Sequence, residues 1–288
     1  MVRLISVVIP VGRVDGRLDD QLAALAVQDT SVPWDLVLSA NSVEAREALA
    51  EVVERHKDHL PLVTIVDASD AAGPSHARNV GWLAAAGDVI LFCDADDVVD
   101  VHWVSAMTVL AQTSDIFGGR LDYEVLNSPD PSPWHHHWSE GPPIKFAHLP
   151  FVPSCNVGVR RTVLETVGGW DESLAAGEDT DLCWRAQYAG FALGYSPEAV
   201  VHYRVRETPQ AMFRQHLAYG LSDVRLMTLH RGKGASRSFL SAMRDVLAVG
   251  KSLVLAPFSA VRRGQGAAGA GNLVGRVQGS LRYRTWVI

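Results

Sequence analysis

Four short apolar runs, separated by three segments of helical spacing, occupy roughly the first hundred residues. The runs are "LISVVIP", "WDLVLSA", "LVTIVDA" and "DVILFCDADD". Between them lie "RLDDQLAALAVQ", "SVEAREALAEVVERHKDH" and "GPSHARNVGWLAAAG". Apolar runs bounded by turn signals suit buried strands, and their alternation with helices predicts a parallel sheet covered on its faces. Gly73-Pro74-Ser75 suits a helix start, and Gly87 its end. No GxGxxG follows the first run and no GxxxxGK[ST] occurs anywhere, so neither a dinucleotide fingerprint nor a P-loop is present.

After Val101 the alternation weakens. "SDIFGGRLDYEVL" reads as strand and turn, and "NVGVRRTVLETVGGWDE" and "GEDTDLCWRAQYAGF" as short helices with glycine stops. "LGYSPEAVVHYR" returns to strand. A helix follows from Thr208, a cap residue, with Pro209 at its first position. Asn127 to Pro143 holds five prolines and predicts a surface loop.

Charge is unevenly distributed. The formal net charge is -6, yet from Arg231 onward there are ten Lys/Arg and one acid, Asp245. That region is about +9 and the remainder about -15. A basic tail on an acidic body suggests either an anionic membrane surface or docking on the body itself. Cys93, Cys155 and Cys183 fit neither a disulfide framework nor a zinc pattern, so buried free thiols are expected. The N-terminal apolar run stops at Pro10 without a small-residue cleavage site, which argues against a signal peptide. No apolar stretch reaches the ~18 residues of a membrane span. The expected location is cytoplasmic, with peripheral contact at the inner membrane face left open.

The fourth run ends on Asp94, Asp96 and Asp97. Carboxylates at the C-terminal end of a strand lie where open α/β sheets bind ligands. In extended backbone, Asp94 and Asp96 point the same way, and paired hard oxygens suit Mg²⁺ or Mn²⁺ together with a substrate phosphate. Taken alone, the pattern also fits a solvated turn capping a helix. Glu178, Asp179 and Asp181 open a helical pattern. They favour the helix dipole, or one of them acts as a general base. His202 ends a strand-like segment and becomes a metal-ligand candidate only beside a metal-binding acid pair. Arg78 and Asn79, early in a helix, suit a phosphate; the alternative is an ordinary exposed arginine.

"SVVIP", "GPSHARNVGWLAAAGDVILFCDADD", "GGWDESLAAGEDTDLCWRAQYAGF" and "AVVHYR" occur in the order seen in family-2 glycosyltransferases. The chain resembles that family from about Leu4 to His230. The resemblance implies a GT-A fold: a Rossmann-like, mixed but mainly parallel sheet flanked by helices, here with a C-terminal helical extension. It implies a catalytic domain over 1–230, with a nucleotide-binding half (1–100) and an acceptor-binding half (101–230), and a basic extension over 231–288. It also implies inverting transfer from a nucleotide-diphosphate sugar to a hydroxyl of a glycan, lipid or natural product. The cofactor it implies is Mg²⁺ or Mn²⁺ on Asp94 and Asp96, with Asp96 expected as the direct ligand and His202 as a later one.

The same resemblance makes Asp179 the base. Pro10, Val11 and Asp67 match nucleoside positions, Arg78 approaches the diphosphate, and Ala95 lies within the donor motif. On the acceptor side it suggests Asn156, Trp170 and Glu178. The family's acidic turn after the second strand is replaced by "LSANS", where Asn41 is the substitute hydrogen-bonding group. UDP is the first choice of nucleotide, with dTDP and GDP open.

Trp134 and Trp138 in the proline-rich loop offer aromatic faces to an acceptor. The adjacent His135, His136 and His137 suit a loop wall better than a zinc site. Ser236 to Arg263 reads as an interfacial helix, with Arg237, Arg244 and Lys251 seven residues apart. The alternative is packing on the catalytic domain or on another subunit, and a homodimer is open. "GQGAAGAGNLVG" reads as a flexible connection. Two other functions remain: a non-catalytic nucleotide-sugar or glycan binder on the same scaffold, and a sugar nucleotidyltransferase. The second should carry a Gly-rich basic loop after the first strand, of which "PVGRVDGR" is a faint imitation.

Overall fold

A computed structural model describes residues 2–127 and 141–287. The predicted alternation is present. Strands β1 (Ile5–Val11), β2 (Trp34–Ala40), β3 (Val63–Asp67) and β4 (Val89–Cys93) alternate with helices α1 (Gly16–Ala26), α2 (Val43–His56) and α3 (Pro74–Ala84). These four strands are parallel, in the order β3-β2-β1-β4. Side chains alternate between the two faces of a strand. Accordingly Val7 and Ile9 join one core with Leu18, Leu22 and Leu49 of α1 and α2. Val8, Ile90 and Phe92 join the other with Trp82 of α3.

Beyond β4 come β5 (Val98–Val99), α4 (Trp103–Leu110), β6 (Ile116–Asp122), β7 (Asn156–Arg160), α5 (Arg161–Val167), α6 (Glu178–Tyr188) and β8 (Leu193–His202). The sheet continues β4-β7-β6-β8-β5, giving eight strands among the described residues. β7 is antiparallel to β4, with Cys93 opposite Asn156. β8 runs parallel to β6, and the short β5 is antiparallel to its end, with Val98 opposite His202. The acids after β4 therefore lie in the turn to β5, next to the chain that leaves β8.

From Pro209 onward the chain is helical: α7 (Pro209–His230), α8 (Phe239–Leu255) and α9 (Ala260–Tyr283). Thr208 caps α7 by accepting from the Ala211 N–H, as its sequence predicted. The Gly/Ala-rich stretch departs from expectation. It is not a flexible connection but part of α9, a helix of 24 residues. Its glycines make a packing face: a Cβ at Gly271 would fall 2.4 Å from the Phe213 carbonyl oxygen, and one at Gly275 2.2 Å from that of Leu217. Glycine's low helix propensity is offset by this close approach of α9 to α7. A buried ion pair fixes the arrangement, with Arg276 of α9 donating to Asp223 of α7 at 2.8 Å. Asp223 also meets Lys145 at 2.6 Å, and the two cations outweigh burial to hold its carboxyl below the usual range.

Candidate active site

The turn between β4 and β5 is clamped from α1. Buried Gln21 donates to the Asp94 carbonyl at 3.0 Å and accepts from the Val99 N–H at 3.0 Å. Its three acids are offset by arginines. Arg78 of α3 donates from Nη2 to Asp94 Oδ1 at 2.8 Å. Arg206 donates to Asp96 Oδ2 at 3.2 Å, and Arg17 of α1 lies 3.9 Å from the same oxygen. Arg204 donates its backbone N–H to Asp97 Oδ1 at 2.8 Å and its Nε–H to the Asp96 carbonyl at 2.9 Å.

Arg78 is not an exposed arginine. It is 2 % exposed, lies 5.0 Å over the Trp170 ring and donates from Nη1 to Glu178 Oε1 at 3.0 Å. One guanidinium thereby joins the acids after β4 to the acids that open α6. Burial, then the neighbouring Asp179, raises the Glu178 carboxyl, while Arg78 pulls the other way. Burial likewise raises Asp94 against the pull of Arg78. Asp97 is pushed well up, by burial and then by Asp94 and Asp96, and its Oδ2 is buried without a hydrogen-bond partner.

Gly177, with φ of 75°, turns the chain into α6 and sets Glu178 and Asp179 at the helix start. Asp179 Oδ1 accepts from the Thr180 N–H at 2.6 Å and from its hydroxyl at 3.2 Å. Oδ2 has only a long contact, 3.4 Å, from the Ser154 N–H. One oxygen is thus held and the other is open to a further donor.

Ligand atoms of Asp94, Asp97 and Cys155 lie within 4.8 Å of one another. Two hard carboxylates with an unpartnered buried oxygen fit Mg²⁺ or Mn²⁺. Cys155 fits less well, because its soft thiol is pushed well above its ordinary value by burial. His202 is not part of this group. Its Nδ1 meets Asp122 at 2.7 Å, which anchors the ring, and its Nε2 is 3.9 Å from Asp100. A histidine that ligates a metal commonly gives its other nitrogen to a carboxylate in this way.

The predicted nucleoside residues sit side by side at the C-terminal ends of β1, β2 and β3, with Val11 opposite Ala40 and Ala40 opposite Asp67. Pro10 and Val11 end β1, and Val11 is fully buried. Asp67 ends β3, where the Ser69 hydroxyl and N–H, then Arg46, hold its carboxyl down to about 2. Asn41 braces a loop: its amide donates to the Ala68 and Ala71 carbonyls, and its oxygen accepts from the Gly73 N–H. Ala95 is partly buried against the core of the α1 face.

Two acceptor expectations are corrected. Asn156 is fully buried, accepts from the Trp103 indole at 2.8 Å and donates to the Arg120 and Ala199 carbonyls. It holds the sheet together and presents no free amide hydrogen to an acceptor. Trp170 is 2 % exposed and packs edge-on against Phe92 at 5.1 Å, so it offers no open stacking face. Trp134, Trp138 and His135 to His137 lie outside the described residues. Sequence reasoning missed Arg17, Arg204 and Arg206. The signal was available for the last two, since "YRVR" directly after His202 sets two arginines on one side of extended backbone.

Comparison with known proteins gives this geometry a family. Residues 6–168 match the model for glycosyl transferase family 2, and residues 145–263 that for glycosyl transferase family group 2. The first match covers more than half of the chain, which belongs to glycosyl transferase family 2. It is 30% identical over 176 residues to a pre-mycofactocin glycosyltransferase of Mycobacterium tuberculosis, covering 57% of this chain and 37% of that protein. A probable glycosyltransferase of Bacillus subtilis, YdaM, is 26% identical over 191 residues, covering 62% and 45%. The chain thus spans less than half the length of these curated relatives.

Among solved structures, the mannosyltransferase PcManGT from Pyrobaculum calidifontis, in complex with GDP-Man and Mn²⁺, superposes with a TM-score of 0.65 at 18% identity. That match covers 96% of this chain and 87% of the other. S. aureus TarS 1-349 in complex with UDP-GlcNAc gives 0.54 at 14% identity, covering 97% and 91%. The shared feature is the fold, that of the GT-A glycosyltransferases.

Proposed function

We propose that the chain is an inverting, metal-dependent glycosyltransferase using a nucleotide-diphosphate sugar, with UDP the preferred nucleotide. The single observation that carries this reading is the Arg78 bridge. It brings the acids after β4 and the acids of α6 to one guanidinium, at 2.8 and 3.0 Å. Residues 1–100 then serve the donor and 101–230 the acceptor, while the extension serves another purpose. Asp94 and Asp96 would hold the cation in this reading, with Asp97 next to Asp94 and its unpartnered oxygen within reach, and His202, oriented by Asp122, would be a further ligand. A divalent cation there supplies a Lewis acid that offsets charge on the departing diphosphate.

The protein's own groups do the rest. Asp179, held through Oδ1, uses Oδ2 to take the proton of an acceptor hydroxyl. That hydroxyl oxygen bonds to the anomeric carbon as the bond from carbon to the diphosphate oxygen breaks on the opposite face. The nucleoside diphosphate leaves with the bonding pair, and the configuration inverts. The acceptor is a hydroxyl of a glycan, lipid or natural product.

Thermal shift with UDP, dTDP, GDP and CMP, each with and without Mn²⁺, tests the donor half of the proposal. UDP with Mn²⁺ should raise the melting temperature, since saturation at a hundredfold excess over Kd adds about 2.7 kcal/mol. No shift with any of the four would overturn it. Asp179→Asn should keep the UDP shift and lower turnover by about 10²–10⁴. Unchanged turnover would remove Asp179 from the base role.

A further inference from the structure

The extension does not simply dock its charge on the acidic body. α9 packs on α7 and α8 packs on α9, and the outer face of α8 is left uncovered. At about 100° per residue, Phe239, Leu240, Val246, Leu247, Leu253 and Val254 fall within an arc of about 140°. All are exposed, Phe239 at 79%, Leu247 at 67% and Val254 at 72%. Ser252, on the opposite side, is buried, as is Ala242 just beyond the other edge of the arc. Phe258, just beyond the helix, is 86% exposed. Large apolar side chains concentrated on one exposed face mark an interaction surface.

Charge identifies what covers it. Arg244 and Lys251 flank one edge of the arc, both exposed and in no ion pair among the described residues. Asp245, the one acid after Arg231, is spent on Arg237 at 2.8 Å and on Arg276 at 3.1 Å. Two copies meeting symmetrically through this face would bring like charges together with no free carboxylate on either extension. An anionic lipid surface meets both demands, taking apolar side chains at the acyl boundary and cations at the headgroups. No helix among the described residues is long and apolar enough to cross a membrane, so the contact is a surface one.

A second feature lies at the start of α8. A cavity of about 300 Å³ is lined by Arg231, Ser236, Arg237 and Trp286, among others. Arg237 Nε is buried there without a hydrogen-bond partner, and Trp286 is 72% exposed. An exposed indole is a group that sits at headgroup depth.

We propose that α8 lies in the interface of an anionic membrane, with its apolar arc inserted and Arg244 and Lys251 among the headgroups. The proposal is independent of the catalytic reading. Flotation of the purified chain with vesicles tests it, using phosphatidylcholine alone or in equal parts with phosphatidylglycerol. The chain should float with the mixed vesicles, less so with the neutral ones, and high salt should weaken the contact. Leu247→Asp with Val254→Asp should abolish flotation.

Arg244→Gln with Lys251→Gln should lower partitioning about thirtyfold, from about 1 kcal/mol per basic residue near the surface. These residues are exposed, so unchanged melting temperatures should accompany both variants. Absence of flotation with mixed vesicles would overturn the proposal, as would flotation indifferent to both variants. A wild-type dimer by light scattering that becomes monomeric in Leu247→Asp with Val254→Asp would also overturn it, by assigning the face to a second copy.

Discussion

Arg78 and Glu178 form a buried ion pair, with Nη1 and Oε1 3.0 Å apart, and Arg78 Nη2 reaches Asp94 at 2.8 Å. The guanidinium is 2 % exposed, so water does little to screen these contacts. Burial opposes its charge, while Asp94 and then Glu178 raise its affinity for the proton. Removing the cation would strand one nearly buried carboxylate and leave another with a like-charged neighbour. Arg78→Met should therefore cost about 3–5 kcal/mol of stability, the usual penalty for breaking a buried pair. Arg78→Lys should recover only part, since an ammonium is a point charge and not a fork. Urea denaturation of the three proteins checks this. Equal stability of wild type and Arg78→Met would mean the bridge is not formed in solution.

In the proposed site, Arg206 would compete with the cation for the Asp96 carboxylate. The guanidinium donates to Asp96 Oδ2 at 3.2 Å from a side chain 41% exposed, so the pair is a weak one. Exposed pairs are worth about 0.2–1 kcal/mol. Arg206→Ala should lower the Mn²⁺ concentration needed for half of the UDP-dependent thermal shift by up to about fivefold. A higher requirement would show that Arg206 assists binding instead, as a partner of the diphosphate.

The parallel half of the sheet was legible because each strand is a run of consecutive apolar residues and each helix has its own spacing. "LISVVIP" and "VILFC" are buried on both faces, and nothing else in the sequence competes with that reading. The acids of the site were legible as charge placed against those runs. Which cation meets which acid was not, because Arg78 and Arg17 come from two helices far apart in the chain and reach Asp94 and Asp96 only through the topology. Asn156 shows the reverse error. The resemblance suggests it for the acceptor side, but its position opposite Cys93 in the sheet buries it and spends its amide on backbone carbonyls. The glycines of α9 misled for a related reason. Composition reports backbone freedom, whereas the decisive fact is which helix lies against them.

His76 should make stability fall as pH rises. It joins α3 to the segment before α6, meeting Asp70 at 2.8 Å and Glu172 at 3.0 Å. The Asp70 hydrogen bond raises its pKa first; burial opposes this, and Glu172 adds to the rise. A folded pKa above the unfolded value means that the protonated form is favoured by folding. That stabilisation is complete below the unfolded value of about 6.5 and is lost as pH climbs through the higher folded value. Urea midpoints of wild type should therefore decline from about pH 6.5 upward, and those of His76→Gln should decline less. Parallel profiles would show that the imidazole binds its proton equally well in the folded and unfolded chain.

Gly250 and Gly275 both sit inside helices, yet replacing them should move stability in opposite directions. Gly250 in α8 has nothing within 4 Å of an added Cβ. Gly250→Ala gains helix propensity alone and should stabilise by about 0.5–1 kcal/mol. At Gly275 in α9 the same methyl group would fall 2.2 Å from the Leu217 carbonyl oxygen and 2.8 Å from the Leu221 nitrogen. Backbone atoms of α7 cannot step aside as a side-chain tip can, so α9 must move away from α7. Overpacking of this kind costs about 1–3 kcal/mol, which exceeds the propensity gain. The melting temperature should rise for Gly250→Ala and fall for Gly275→Ala. A rise for both would mean that α9 is not seated on α7. The Gly/Ala-rich stretch would then be the loose connection its composition suggests, and α8 would have no fixed platform from which to present its apolar face.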